Sequence, residues 1–308
     1  MGKIAFVFSG QGAQYPGMGQ ELAQISPAAA DVFKNADAIR PGTSAQCFSG
    51  TEEELKTTCI TQPCMFAVET AAAAVLAENG IHADMAAGFS LGEIAALTYT
   101  RSVDFKTGFE LVIKRGELMQ AAAEATPSAM VAVLKLTAPD VEKIASEFSG
   151  IYPVNYNCPG QTAVAGLEEE MPAFTARIKE AGGRALPIKV RGGFHSPFME
   201  GASAEFAKVL ADLSISVPTV ALYSNKTGDR YPDDTDIIRE LLAGQICSPV
   251  RWETIVRNMI AAGADTFIEL GPGSTLCGLI SKTDPSVRVY PLSDKDNLDK
   301  ILTEIKPC

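Results

Sequence analysis

The run Gly88-Phe89-Ser90-Leu91-Gly92 constrains this chain more than any other stretch. It closes a short apolar segment, 85–87, that reads as a strand, and it opens a segment, 91–99, that reads as a helix. A G-x-S-x-G pentapeptide at a strand-to-helix turn is the pattern of a nucleophile elbow. The serine sits on a sharp, strained turn that lifts its hydroxyl above the sheet. Residues without a Cβ let strand and helix approach closely enough to make that turn. The N–H of Leu91 then points to where an oxyanion would form. The competing reading is a chance match, since the chain holds 26 glycines.

The same order of strand, turn and helix recurs. Residues 3–8 lead into Ser9-Gly10-Gln11-Gly12, and 266–270 lead into Gly271-Pro272-Gly273 and a helix over 275–280. Residues 220–224, just after Pro218, read as a further buried strand. This alternation predicts an α/β fold: an α/β-hydrolase-like main domain with a mostly parallel sheet, binding ligands at the carboxyl ends of its strands. The middle of the chain differs. Strands over 129–134, 152–157, 161–166 and 184–188, with helices over 138–147 and 170–181, give the order β-α-β-β-α-β of a ferredoxin-like unit. The expected division is a catalytic domain of 1–126 with 194–308, and an inserted subdomain of 127–193.

Composition narrows the function classes. A net charge of −11 argues against nucleic acid as a partner. No apolar run reaches the roughly 20 residues of a membrane helix, and 3–8 reads as a first buried strand rather than a signal segment. Seven cysteines without C-x-x-C spacing read as reduced thiols of a cytoplasmic protein, not as a disulfide framework or zinc site. Nothing suggests a coiled coil or a large exposed apolar surface, so a monomer is expected.

A serine nucleophile needs a base, and the chain has two histidines. His82 precedes the elbow strand and lies at the wrong end of it. His195 lies in a glycine-rich loop, 192–197, where the inserted unit returns to the main domain. It is therefore the candidate base, with a satisfied loop histidine as the alternative. Arg115 is the clue to substrate. On a helix over 104–122 its neighbours at three and four residues are Leu111, Val112, Leu118 and Met119, whereas Glu110, Lys114 and Glu117 form a solvated face with an i,i+4 pair. A guanidinium on the apolar stripe is costly unless an anion meets it. That anion is either a distant Asp or Glu or a substrate carboxylate held by a bidentate fork. The turn at Gly10 to Gln14 lacks the P-loop lysine and the third glycine of a dinucleotide fingerprint. A backbone N–H from this turn suits the second donor of an oxyanion hole.

Taken in order, Gly10-Gln11-Gly12-Ala13-Gln14, Gln62-Pro63, Gly88-Phe89-Ser90-Leu91-Gly92-Glu93, Arg115, Asn155-Tyr156-Asn157 with Pro159-Gly160-Gln161, Phe194-His195-Ser196, Ser224-Asn225, Ser248-Pro249-Val250-Arg251-Trp252 and Glu269-Leu270-Gly271-Pro272 resemble the malonyl-CoA:acyl-carrier-protein transacylases along essentially the whole chain. The resemblance implies that Ser90 is acylated, that His195 is its base, and that the N–H groups of Gln11 and Leu91 form the oxyanion hole. It implies that Arg115 holds the malonyl carboxylate and that the backbone carbonyl of Gln245 orients the histidine, giving a dyad with no acidic third member. Asn157 would contact coenzyme A, and Phe194 matches the malonyl-type rather than the methylmalonyl-type pattern. Phe89 departs from the family, which often has His or Gln there.

The implied reaction is ping-pong transfer of malonyl from malonyl-CoA, a substrate, to the phosphopantetheine thiol of acyl carrier protein, with no metal or redox cofactor. Fatty acid synthesis is the expected setting and polyketide synthesis the alternative. The carrier is acidic by family expectation, so a local basic patch must offset the charge of this chain. Arg184, Lys189 and Arg191, beside the His195 loop, are the candidates. The alternatives are a hydrolase on the same elbow, which an uncharged residue at position 115 would favour, and a non-catalytic carrier-docking module.

Overall fold

The computed structural model describes residues 2–190 and 192–305; Arg191, one of the three candidate cations, lies outside them. The described strands are β1 (Lys3–Phe8), β2 (Met85–Gly88), β3 (Ser128–Leu134), β4 (Ile151–Cys158), β5 (Gln161–Leu167), β6 (Arg184–Pro187), β7 (Ala221–Tyr223), β8 (Ala264–Leu270) and β9 (Arg288–Leu292).

Five strands form one sheet in the order β7-β2-β1-β8-β9, with every neighbouring pair parallel. The reason is visible in β1. Ile4, Phe6 and Phe8 face one apolar cluster and Ala5 and Val7 the other, so both sides of the strand are covered, as parallel strands require. Phe8 is opposite Gly88 on one side and Leu270 on the other. The turns after β1, β2 and β8 therefore emerge side by side at one edge, the edge where such sheets bind ligands.

The four remaining strands form a separate antiparallel sheet in the order β4-β5-β3-β6. Helices Ala138–Ala145 and Met171–Glu180 cover one face, over Val131, Val133 and Val164. Chain order and strand order together are those expected of a ferredoxin-like unit. The edge of β4 is tied to the main body through Val250, whose N–H donates to Val154 O (2.8 Å) and whose carbonyl accepts from Tyr156 N (2.9 Å).

Several expectations are corrected in detail. The strand expected over 220–224 shortens to three residues because the chain turns back, with Ser224 N donating to Asp229 O and Tyr231 N to Leu222 O. The arginine-bearing helix runs Phe105–Ala125 behind an Asp104 cap that accepts from Thr107 N. On its solvated face the pairs are Lys106–Glu110 and Lys114–Glu117, not Glu110 with Lys114. One helix, Thr58–Glu78, is long and apolar enough by length and composition to cross a membrane, contrary to the reading from uninterrupted runs. The stretch concerned is 83% buried inside the protein, which is what a helix enclosed by other helices and the sheet looks like.

Candidate active site

The elbow takes its shape from close approach. A Cβ on Gly88 would lie 1.9 Å from the carbonyl carbon of Gly92, and one on Gly92 would lie 2.4 Å from Ser9 O. Strand β2 and helix Gly92–Tyr99 thus meet with backbone against backbone. Ser90, between them, has a left-handed φ of 56°. Its backbone is held from both sides. Ser90 N donates to Asn225 Oδ1 (2.7 Å), and Ser90 O accepts from Gln245 Nε2 (2.7 Å).

His195 reaches this serine across 105 residues of sequence. Ser90 Oγ and His195 Nε2 are 2.7 Å apart, and His195 Nδ1 lies 3.0 Å from Gln245 O. A carbonyl can only accept, so Nδ1 carries the proton and Nε2 is left to accept from the hydroxyl. Burial, and then the Arg115 cation, push the His195 pKa down to about 4. The ring is therefore neutral at ordinary pH. His82 is exposed and lies outside this group.

Arg115 is 1% exposed. NH1 donates to Gln62 Oε1 (2.9 Å), and NH2 donates to Gln245 Oε1 (2.8 Å) and to Ser90 Oγ (3.1 Å). Its bonding partners are thus two amide oxygens and the serine hydroxyl, with no carboxylate among them. Three of its five N–H groups are used. Burial lowers its pKa to about 10, and Glu93 works in the opposite sense. Sequence reasoning had quoted Glu93 and Gln62 only as parts of motifs. The structure places Glu93, fully buried, one side chain behind Arg115. Gln245 Nε2 donates to Glu93 Oε2 (2.8 Å), and Tyr231 OH (2.5 Å) and Asn225 N (3.1 Å) donate to Glu93 Oε1. Asn225 Nδ2 closes the ring of contacts on Gly88 O (2.6 Å). Asn225 likewise entered only within the pair Ser224-Asn225, and Tyr231 carries no local signal, since it acts on the site through a long-range contact.

A cavity of about 220 Å³ opens over Ser90 and His195. The turn after β1, Phe89, Met119, Phe194 and the uncovered face of the small sheet, including Met130, Ala163 and Ile188, line it. Among the described residues neither Gln11 N nor Leu91 N donates to an acceptor within the protein. The Gln11 side chain donates to Thr58 Oγ1 (3.3 Å), which anchors the turn. Asn155 and Asn157 line the cavity with buried side-chain oxygens that have no partner. Phe89 lies edge-on to Trp252 (ring centroids 5.4 Å apart), and Gly10 packs directly on its ring.

Two of the three candidate cations lie among the described residues. Arg184 is exposed at the start of β6, opposite Leu134. Lys189 lies beyond the end of β6, at a bend where Val190 N donates to Ile188 O (2.9 Å). It lines a groove with Lys56, Thr58, Gln120 and Glu53, the last paired with Lys56 (3.4 Å).

A family model described as an acyl transferase domain matches residues 5–300. The chain belongs to this acyl transferase family. It is 36% identical to the malonyl CoA-acyl carrier protein transacylase of Bacillus subtilis, over 99% of this chain and 98% of that protein. A crystal structure of malonyl CoA-acyl carrier protein transacylase from Clostridium perfringens superposes with a TM-score of 0.95 at 35% identity, covering 99% of this chain and 97% of the other. A malonyl-transacylase in complex with a holo type II polyketide acyl-carrier protein superposes with a TM-score of 0.94 at 32% identity, covering 98% of each chain.

Proposed function

We propose that this acyl transferase moves a malonyl group from malonyl-CoA to the phosphopantetheine thiol of acyl carrier protein through a malonyl-Ser90 ester. The observation that carries the reading is Arg115: a buried guanidinium bonded to the serine hydroxyl, whose other bonding partners are neutral amides. A free carboxylate on the acyl group supplies the anion that such a group calls for. The names of the relatives support the same donor and acceptor.

In this reading His195 takes the Ser90 proton as Oγ attacks the thioester carbon. The oxyanion is met by the N–H groups of Gln11 and Leu91, each worth about 10²–10³ in rate. Collapse expels coenzyme A thiolate, which takes the proton from His195, and leaves the ester. The carrier thiol then gives its proton to His195 and attacks the ester carbon; the Ser90 Oγ–acyl bond breaks, Oγ takes the proton back from His195, and malonyl leaves on the carrier sulfur. The Gln245 carbonyl keeps the ring oriented, and no step calls on a metal or redox cofactor. In the same reading Asn157 and Asn155 accept from the pantetheine amides, supported by their buried, unbonded oxygens on the cavity wall, and Phe194 closes the acyl side. We take 127–193 as the inserted unit that roofs the cavity.

Intact mass after mixing with malonyl-CoA tests the reading. A malonyl adduct on wild-type protein, absent in Ser90→Ala and passed to holo carrier, is expected. Release of free malonate with no adduct would show hydrolysis instead. Arg115→Ala is expected to lower malonyl transfer and relax preference toward acetyl. For the carrier, Lys189 is the stronger docking candidate, since its groove-mate Lys56 is paired with Glu53, and Arg184 at the start of β6 is the second. Lys189→Glu should raise KM for carrier and leave KM for malonyl-CoA unchanged; equal effects on both would remove it from the docking surface.

A further inference from the structure

Glu93 is buried on every side, yet it touches neither the cavity nor the serine hydroxyl. Beside the bond from Tyr231 OH, the two other bonds its carboxylate accepts lead back to the catalytic group. One oxygen accepts from Asn225 N, and the Asn225 side chain grips the elbow on both flanks, at Gly88 O and Ser90 N. The other accepts from Gln245 Nε2, whose second N–H goes to Ser90 O. The Gln245 amide is thereby fully committed. Turned over, it would set its oxygen against the Glu93 carboxylate and the Ser90 carbonyl, and its N–H groups against the Arg115 guanidinium. Glu93 therefore decides which end of Gln245 faces Arg115.

We propose that Glu93 is a positioning residue that sets acyl selectivity, by keeping the Gln245 oxygen on Arg115 so that the guanidinium stays aimed at the acyl group on Ser90. The proposal rests on the malonyl-transfer reading. Three donors converge on the carboxylate and favour its ionised form, which burial delays to above about pH 7, below the pH of the test that follows. The anion in turn lies behind a guanidinium that has no carboxylate of its own. Gln245 separates the two charges, so Arg115 is neutralised at a distance and keeps N–H groups free for substrate.

The test is the ratio of malonyl-Ser90 to acetyl-Ser90 formation, from kcat/KM of the acylation half-reaction at about pH 8, in wild type and Glu93→Gln. An amide at position 93 presents N–H groups to Gln245 Nε2, and the Gln245 amide turns over. The malonyl-to-acetyl ratio is expected to fall ten- to a hundredfold, the range of a charge-assisted hydrogen bond of about 1.5–3 kcal/mol. Unfolding or loss of active protein lowers both rates by one factor and leaves the ratio alone, so an unchanged ratio in soluble Glu93→Gln overturns the proposal. Should that variant be insoluble, Tyr231→Phe decides. It removes one donor from the carboxylate, and a fall of about threefold in the same ratio is expected, against no change if Glu93 only holds the fold. Absence of malonyl transfer by wild type would instead sink the underlying reading.

Discussion

The acid limb of the acylation rate tests the electrostatics of this site most directly. His195 Nε2 is 2.7 Å from Ser90 Oγ, and the ring is buried. Burial first, and the Arg115 cation second, bring its pKa from 6.5 down to about 4. At 1.36 kcal/mol for each tenfold, the folded protein disfavours the imidazolium by about 3 kcal/mol relative to an ordinary imidazole. The base works neutral, so its activity is complete above the folded-state pKa and is lost as pH falls through about 4. Acylation by acetyl-CoA is the suitable assay, because it makes no demand on Arg115 as a carboxylate ligand. Its kcat/KM, followed by rapid quench and intact mass, reports the free enzyme. The rate is expected to be level from about pH 8 to about pH 5, where an ordinary histidine would be only about 3% neutral. Arg115→Gln removes the second cause and leaves the first, so its acid limb moves up in pH while remaining below 6.5. A wild-type limb near 6.5, or a limb that stays in place in Arg115→Gln, refutes this account of the base.

Stability should carry the mark of Glu93. Burial raises its pKa to about 7, so the folded state holds a proton that the unfolded chain, near 4.5, has lost. Its contribution is complete below about 4.5 and disappears as pH rises to about 7, worth about 3 kcal/mol in all. The difference in urea stability between wild type and Glu93→Gln should change by that amount over this window; a constant difference contradicts it. Gly88→Ala forces a methyl onto the Gly92 backbone, and a loss of about 3 kcal/mol or more is expected from the urea midpoint. A loss of a few tenths would mean that the elbow is looser than drawn. Phe89→Ala removes the ring that fills the space between Gly10 and Trp252, so the relative rate with methylmalonyl-CoA should rise; an unchanged ratio would show that the ring does not bound the acyl pocket.

The parts legible in the sequence are those set by short-range sterics. Ser90 could be placed because the two glycines around it permit only one kind of turn. The parallel strands and the order of the small sheet could be read because burial on two faces or one writes itself as runs or alternation. Other features left weak local traces. Five helices lie between Gln20 and Glu78, and the sequence reading assigned none of them. Among them, sharp signals are confined to helix starts, as at the Thr51–Glu54 capping box and at Ser26-Pro27. Helix Thr58–Glu78 is apolar nearly all round, so it has no stripe to detect.

What the sequence by itself determined is which residues could do chemistry: a serine on an elbow, a histidine found almost by elimination, and an arginine on an apolar stripe. Only the tertiary structure decided how they work. The neutrality of His195 depends on burial and on Arg115. The aim of Arg115 depends on Gln245, which meets Ser90 across 155 residues, and on Glu93 behind it. Charge interactions depend on distance and desolvation in space, and neither is written in the spacing of residues along the chain.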